Sequence, residues 1–292
     1  MPELPEVETI TRQLRNHITG KTIVDVDILM PKNIYADNKK SDSEKFRALT
    51  TNTKIISVER KAKVIIINLS NNNSIIFHLK MTGQMLYAVK GKPFTNSKIP
   101  FAPTGLPAKS TNLYFTFEDG SRLYFNDMRQ FGYAKAMSTN EVKNDKFIQK
   151  LGPEPFTPEF EFQWFSNFLS TKKLKIKNLL MDQAFISGIG NIYANEALFH
   201  AKIHPNTCAN LLNLKEKKLL FNAILKVLET GINVGGASDQ SYVDIHGEKG
   251  SFMDYAKVYK QKYCQTCGEK IIRIAQNGRG TFFCPSCQKE KE

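Results

Sequence analysis

Apolar side chains near the start of the chain recur at three- and four-residue spacing. Val7, Ile10, Leu14 and Ile18 fall on one helical face, and Gly20 ends the pattern. The period then shortens. Val24, Val26 and Ile28 alternate, and residues 54–60, 63–69, 74–79, 84–89, 112–118 and 122–125 are runs rich in β-branched and aromatic side chains. Asn71-Asn72-Asn73 and Asp119-Gly120 supply turn chemistry between them. Many short strands at close spacing predict a sandwich or a barrel. Residues 90–111 hold four prolines and two glycines and read as a long exposed loop.

Near residue 150 the period changes again. Leu151-Gly152-Pro153-Glu154-Pro155 reads as a linker, and Thr157-Pro158-Glu159 is a helix start with a capping residue and a first-turn proline. Helical spacing continues through 160–169, 175–181, 191–200 and 215–231, while 235–258 is rich in Gly, Asp and Ser and reads as mobile. No internal repeat is visible. The pattern predicts an α+β multidomain chain: a β-sandwich domain with flanking helices over 2–135, a linker over 136–156, a helical domain over 157–258 and a cysteine module over 259–292.

The 292 residues are 41% hydrophobic, enough for packed cores, which excludes global disorder. No basic start with an apolar stretch marks a secretory signal, and no apolar run, 64–67 for example, is long enough to cross a bilayer. A soluble cytoplasmic protein without a membrane partner is the expectation. Lys and Arg number 41 against 28 Asp and Glu, a formal charge of +13. That excess suits a polyanion such as DNA or RNA, bound with strong salt dependence, and equally suits a solvated basic surface.

Four of the five cysteines stand as Cys264-x2-Cys267-x16-Cys284-x2-Cys287, the spacing of a four-thiolate zinc site. Two disulfides are the competing reading, disfavoured without an export signal. Cys208 lies in a helical region and reads as a buried small hydrophobe. Within the cysteine module, residues 271–274 and 281–283 flank Asn277-Gly278-Arg279-Gly280, which predicts a tight hairpin with Arg279 at or beside its tip. A guanidinium there is placed to reach phosphate or a minor groove.

Pro2 follows Met1 directly, so removal of the initiator leaves a secondary amine. An α-amino group titrates near ~8, against ~10.4 for lysine, so far more of it is nucleophilic at neutral pH. Its attack on a sugar C1′ gives an iminium ion that acidifies C2′ and permits phosphate elimination. Glu3 and Glu6 suit a helix N-terminus electrostatically, and Glu3 can also move protons beside the amine.

Pro2-Glu3-Leu4-Pro5-Glu6-Val7-Glu8, Gly188-Ile189-Gly190-Asn191-Ile192-Tyr193-Ala194 and the terminal cysteine motif together resemble the formamidopyrimidine-DNA glycosylase family, nearly end to end. The resemblance implies a β-sandwich, a helix–two-turn–helix domain and a zinc-ribbon hairpin acting on damaged double-stranded DNA. It implies excision of oxidised purines, β,δ-elimination at the abasic site, one structural zinc, no small-molecule cofactor and a monomer. It makes Pro2 the Schiff-base nucleophile, Glu3 the acid/base, and Lys63 and Arg279 the phosphate-contacting members of the catalytic set. His78-Leu79-Lys80-Met81-Thr82-Gly83 and Asn126-Asp127-Met128-Arg129-Gln130-Phe131-Gly132 match the segments that fill the gap left by an extruded base, here with Met81, Arg129 and Phe131. Extruding a base loses stacking that apolar wedges offset. Gly188-x-Gly190-Asn191 leads into a helix whose first N–H groups can bind phosphate with the help of Asn191.

The lysine run of residues 172–177 reads as a solvated helix face that could line the cleft. Several positions depart from the family pattern: Met128, Gln130, Gln240, where a basic residue is usual nearby, and Tyr259-Lys260-Gln261. They bear on lesion preference. The competing readings are an endonuclease VIII-like glycosylase for oxidised pyrimidines and a non-catalytic damaged-DNA-binding protein. The former normally carries glycine at the position of Leu4; the latter would not need Pro2, Glu3 and Lys63.

Overall fold

Helix α1 (Leu4–Ile18) forms on the predicted apolar stripe, with Val7, Ile10, Leu14 and Ile18 all fully buried. Glu6 accepts the Glu3 backbone N–H at 2.7 Å, closing a capping box, and Pro5 occupies the first turn, where an N–H would have no helical partner. The helix belongs to a computed structural model that describes residues 1–91, 100, 102 and 105–291. Much of the predicted 90–111 loop (92–99, 101, 103 and 104) lies outside the described residues. The chain divides into two units, Met1–Gln149 with Val234–Ser251, and Lys150–Asn233 with Phe252–Glu292.

In the first unit α1 is followed by β1 (Thr22–Ile28), β2 (Ile34–Ala36), β3 (Lys39–Lys40), α2 (Ser43–Thr50), β4 (Thr53–Lys61), β5 (Val64–Leu69) and β6 (Asn73–His78). β7 (Gly83–Ala88), β8 (Thr111–Phe117), β9 (Arg122–Asp127) and β10 (Tyr133–Ser138) complete it. The strand order is β3-β2-β10-β6-β5-β4-β1-β8-β9-β7. The β1–β4 joint is short, pairing Thr22 with Lys54 and Ile23 with Thr53, and separates two sheets. Their inner faces meet: the Phe77 ring of β6 lies 6.2 Å from Phe115 of β8 and 5.4 Å from Phe125 of β9. Both faces share one core with α1 and with Phe46 of α2, so the expected β-sandwich with flanking helices is present.

Four elements carry little hydrophobic signal and are absent from the sequence reading. β2 and β3 are short, α2 buries only Phe46 and Thr50, and β10 relies on alanines for two of its buried positions. β10 occupies the start of the stretch expected to be a linker, and two 3-10 turns (Thr139–Asn144 and Ile148–Lys150) follow it.

Composition places 235–258 with the helical domain as a mobile segment. The structure instead packs Val234–Ser251 in the first unit and fixes it there. Tyr242 and Ile245 enter the sandwich core, Gln84 donates to the Ser241 carbonyl at 2.8 Å, and Gln13 donates to Asp244 at 2.7 Å. Sequence composition could not reveal these partners, which lie more than 150 residues away.

The second unit holds α3 (Phe162–Ser170), α4 (Ile176–Leu180), α5 (Asn191–His200), α6 (Leu214–Asn233) and α7 (Phe252–Tyr255), with the hairpin β11 (Ile272–Gln276) and β12 (Arg279–Phe283). Phe160, Phe165 and Phe221 pack ring on ring at its centre. Gly152 is required: a Cβ there would sit 2.4 Å from the Ala184 and Phe185 carbonyl oxygens. Cys208 is only half-buried and precedes a 3-10 turn, so it is neither helical nor fully interior. Among the described residues no helix is long and apolar enough to cross a membrane.

Candidate active site

The start of the chain is buried among charges. Pro2 is buried, Glu3 is 3% exposed, Glu6 1% and Lys63 4%. The terminal amine, here that of Met1, is held below its ordinary pKa by burial, opposed by Glu3 and Glu6, lowered further by Lys63 and raised by Asp239. Three carboxylates and one ammonium thus converge on the chain terminus. Burial of these charges is tolerable because they compensate one another.

Local structure places each of them. Lys63 closes the β4–β5 hairpin, where Lys61 pairs with Val64 and Ala62 adopts φ 52°. Arg60 holds the tip by donating to the Ala62 carbonyl at 3.0 Å and to Glu8 of α1 at 2.6 Å. Burial resists ionisation of Glu8, but Arg60 and Arg12 prevail and hold its carboxyl below the usual range. Glu6 accepts the Glu3 N–H on one oxygen and the Ala237 N–H on the other, each at 2.7 Å. Gly236 has φ +87°, and a Cβ there would meet a Glu6 carboxylate oxygen at 2.7 Å, so only glycine lets the segment approach so closely. Asp239 follows three residues later. Sequence reading gives Glu6 only an electrostatic fit to a helix N-terminus and assigns no role to Asp239, because neither long-range partnership leaves a local signal.

Met81 and the pair Arg129 and Phe131 are brought together by one buried carboxylate, Asp127. It accepts the N–H groups of Arg129 (3.2 Å), Phe131 (2.8 Å) and Gly132 (2.6 Å), and the Thr82 hydroxyl as well. Phe131 is 55% exposed, with the Arg129 guanidinium 4.8 Å from its ring centroid; Met81 is half-buried. Gln130 turns the chain at φ 54°. His78, at the end of β6, is held neutral: burial, then Lys80 and Lys63, push its pKa down to about 3. Its Nδ1 accepts the Lys80 N–H at 3.1 Å, leaving Nε2–H as a neutral donor.

In the second unit Asn191 opens α5 and donates to the Gly280 carbonyl at 3.0 Å. Lys177, only 2% exposed, donates to Asn191 at 2.8 Å and to the Thr281 hydroxyl at 2.6 Å. This corrects the solvated-face reading of residues 172–177 for Lys177 alone, which α4 turns inward to pin the hairpin; Lys173 and Lys175 are exposed. Gln276 pairs with Arg279 across Asn277 and Gly278, both at positive φ, so the turn is the predicted two-residue type and Arg279 is exposed beside its tip. Arg279, Lys177, Asn178 and Asn277 line a cavity of about 190 Å³.

The four motif cysteines converge, their sulfurs all within 4.8 Å of one another and three pairs at 3.4, 3.6 and 3.9 Å. Tetrahedral zinc with bonds of ~2.3 Å needs sulfurs about 3.8 Å apart. Burial and the neighbouring thiols push Cys287 up to about 12, so four thiolates coexist here only around a cation. The set fits a structural zinc held by Cys264, Cys267, Cys284 and Cys287. Phe199, Val258 and Ile271 pack around it, and Gln288 links the Cys284 N–H to the Ile203 carbonyl.

Residues 1–134 match the model of the formamidopyrimidine-DNA glycosylase N-terminal domain, 151–243 the H2TH domain of the same enzymes, and 262–289 a zinc finger found in FPG and IleRS. The chain is 36% identical over 293 aligned positions to the formamidopyrimidine-DNA glycosylase of Pelotomaculum thermopropionicum, with all of both chains covered. It is similar to the Lactococcus lactis Fpg solved with abasic-site DNA, at 31% identity and a TM-score of 0.87, covering 99% of this chain and 100% of that one. The same enzyme bound to DNA containing N7-benzyl-Fapy-dG gives 32% identity and 0.86, with the same coverage.

Proposed function

The chain belongs to the formamidopyrimidine-DNA glycosylase family, and from that premise we propose that it excises oxidised purines from duplex DNA and then cleaves the abasic site. The observation that carries this reading is the convergence of Glu3, Glu6, Lys63 and Asp239 on the chain terminus. With Met1 removed, the amine at that place is the secondary amine of Pro2. An environment that lowers an amine's pKa increases its unprotonated, nucleophilic fraction at neutral pH.

Chemistry begins when the Pro2 nitrogen bonds to C1′ of the damaged nucleotide and the base departs with the glycosidic electron pair and a proton. Glu3 protonates the ring oxygen as the sugar opens, leaving an iminium ion at C1′. Loss of a C2′ proton drives departure of the 3′ phosphate (β-elimination), and a second elimination releases the 5′ phosphate. Lys63 and the neutral Nε2–H of His78 serve as donors to phosphates near the lesion. Met81 and Phe131 fill the space of the extruded base, and Arg129 donates to the orphaned partner base. Asn191 and Arg279 grip the backbone from the second unit, on a hairpin that zinc keeps folded. We take the working unit to be a single chain acting on DNA in the cytoplasm, with zinc its one cofactor.

The test is borohydride trapping with duplex DNA carrying 8-oxoguanine. The processed, zinc-loaded protein is expected to give a covalent adduct that Pro2→Gly weakens and an acetylated terminus abolishes. Active-site burial without any trapped adduct would sink the proposal. A parallel panel of oxidised pyrimidines ranks substrate preference; faster turnover there would shift the substrate class.

A further inference from the structure

A second cationic feature of the first unit has no part in the chemistry above. Tyr35, Lys80, Tyr133, Lys135, Lys146 and Phe147 are among the residues lining an open cavity of about 290 Å³. Lys135 is neutralised there, donating to Asp145 at 2.5 Å and to Asn38 at 3.0 Å. Lys80 is different. Its ammonium lies 5.7 Å from the Tyr133 ring centroid and 5.3 Å from that of Phe147, half-buried, and its pKa is lowered by burial. Among the described residues no carboxylate pairs with Lys80 or with the exposed Lys146. Lys80 also holds φ 50°, a left-handed backbone that glycine adopts freely and a lysine only under strain. Its N–H is fastened to His78, and Met81 is the next residue.

A half-desolvated ammonium on two aromatic faces, with a second unpaired ammonium at the rim, is a seat for an anion. We propose that this cavity holds one phosphodiester of the bound duplex alongside the Met81 segment, with Lys80 and Lys146 as its donors and the three rings facing the sugar. The inference rests on the DNA-binding reading above. It favours a chain phosphate over a free one because Lys80 is continuous with the Met81 segment. A free nucleotide shares the chemistry and is separated by a competition arm.

The full-length, zinc-loaded protein and its Lys80→Met, Lys146→Met and double variants are titrated with a duplex containing a tetrahydrofuran abasic analogue across a range of NaCl. One lost phosphate contact makes the log–log salt slope shallower by about 0.9. The double variant is expected to show that change and to lose sensitivity to ethylation at one phosphate. Lys146→Met alone, at an exposed position, moves in the same direction and preserves the test if Lys80→Met is unstable. Lys143→Met removes a charge from the same segment outside the cavity and should change neither readout. Unchanged slope and ethylation pattern in the double variant, or an equal loss from Lys143→Met, overturns the site while the glycosylase reading stands. Wild-type protein that ignores the duplex overturns both. Free dGMP that binds wild type but not the double variant, with identical DNA binding by the two, overturns the assignment to DNA.

Discussion

Glu6→Gln changes little in shape and much in bonding. The carboxylate accepts the Glu3 and Ala237 N–H groups, one on each oxygen, both at 2.7 Å and both buried. A glutamine has one acceptor oxygen, so its NH2 must face one of the two N–H groups. One charge-assisted hydrogen bond is lost, about 1.5–3 kcal/mol, and the abandoned N–H keeps a buried desolvation cost of about 1–3 kcal/mol. Relaxation recovers part of this, so about 3 kcal/mol is the working figure. If the site feels most of it, single-turnover borohydride trapping slows by about 10- to 100-fold. Amide exchange over 237–245 should accelerate in parallel, because the Glu6 bond is one of the ties holding that segment. Gly236→Ala attacks the same contact from the other side, placing a Cβ 2.7 Å from the Glu6 carboxylate at φ +87°. The double variant should therefore lose less than the sum of the two. Trapping within twofold of wild type together with unchanged exchange in Glu6→Gln would refute the reasoning.

Removing zinc should unfold residues 264–287 and abolish DNA binding while exchange protection of the first unit's strands persists; full activity in metal-free protein counts against this. Arg279→Ala should weaken DNA binding and flatten its salt slope by about 0.9, and an unchanged slope means the hairpin tip does not touch phosphate. His78 titrates at about 3 in the folded protein, below its ordinary value, so the unfolded chain binds the extra proton between about pH 6.5 and 3. Stability therefore falls with pH across that window, by about 2 kcal/mol at pH 5. Protection factors for β5 and β6, corrected for intrinsic exchange, should show this slope in wild type and a shallower one in His78→Gln; equal slopes exclude His78 as the source.

What could be read from the sequence was what short-range patterns encode. The α1 stripe, most of the sandwich strands, the Asn277-Gly278 turn and the cysteine spacing each specify structure within a few residues. The missing pieces depend on partners distant along the chain. Asp127 looks like a strand-end acid, yet it gathers Thr82 from 45 residues away. Lys177 sits in a run of lysines that composition cannot rank, and the approach of Asn191 and of Thr281, 104 residues on, separates it from solvated neighbours. The 235–258 stretch reads as mobile from its Gly, Ser and Asp content, but Glu6, Gln13 and Gln84 supply the fixed ends its backbone needs.

The same long-range bonds bear on how Phe131 would act. A ring that is 55% exposed gains little from burial in the free protein, so packing does not explain its placement. Its turn is nevertheless fixed by Asp127, which takes three backbone N–H groups, and by the Asn33 side chain, which donates to the Gln130 carbonyl. Inserting a flexible loop between bases would add its ordering cost to the cost of unstacking. Holding the exposed aromatic in advance removes the first of these, which is the arrangement a wedge requires and a solubility defect would not have.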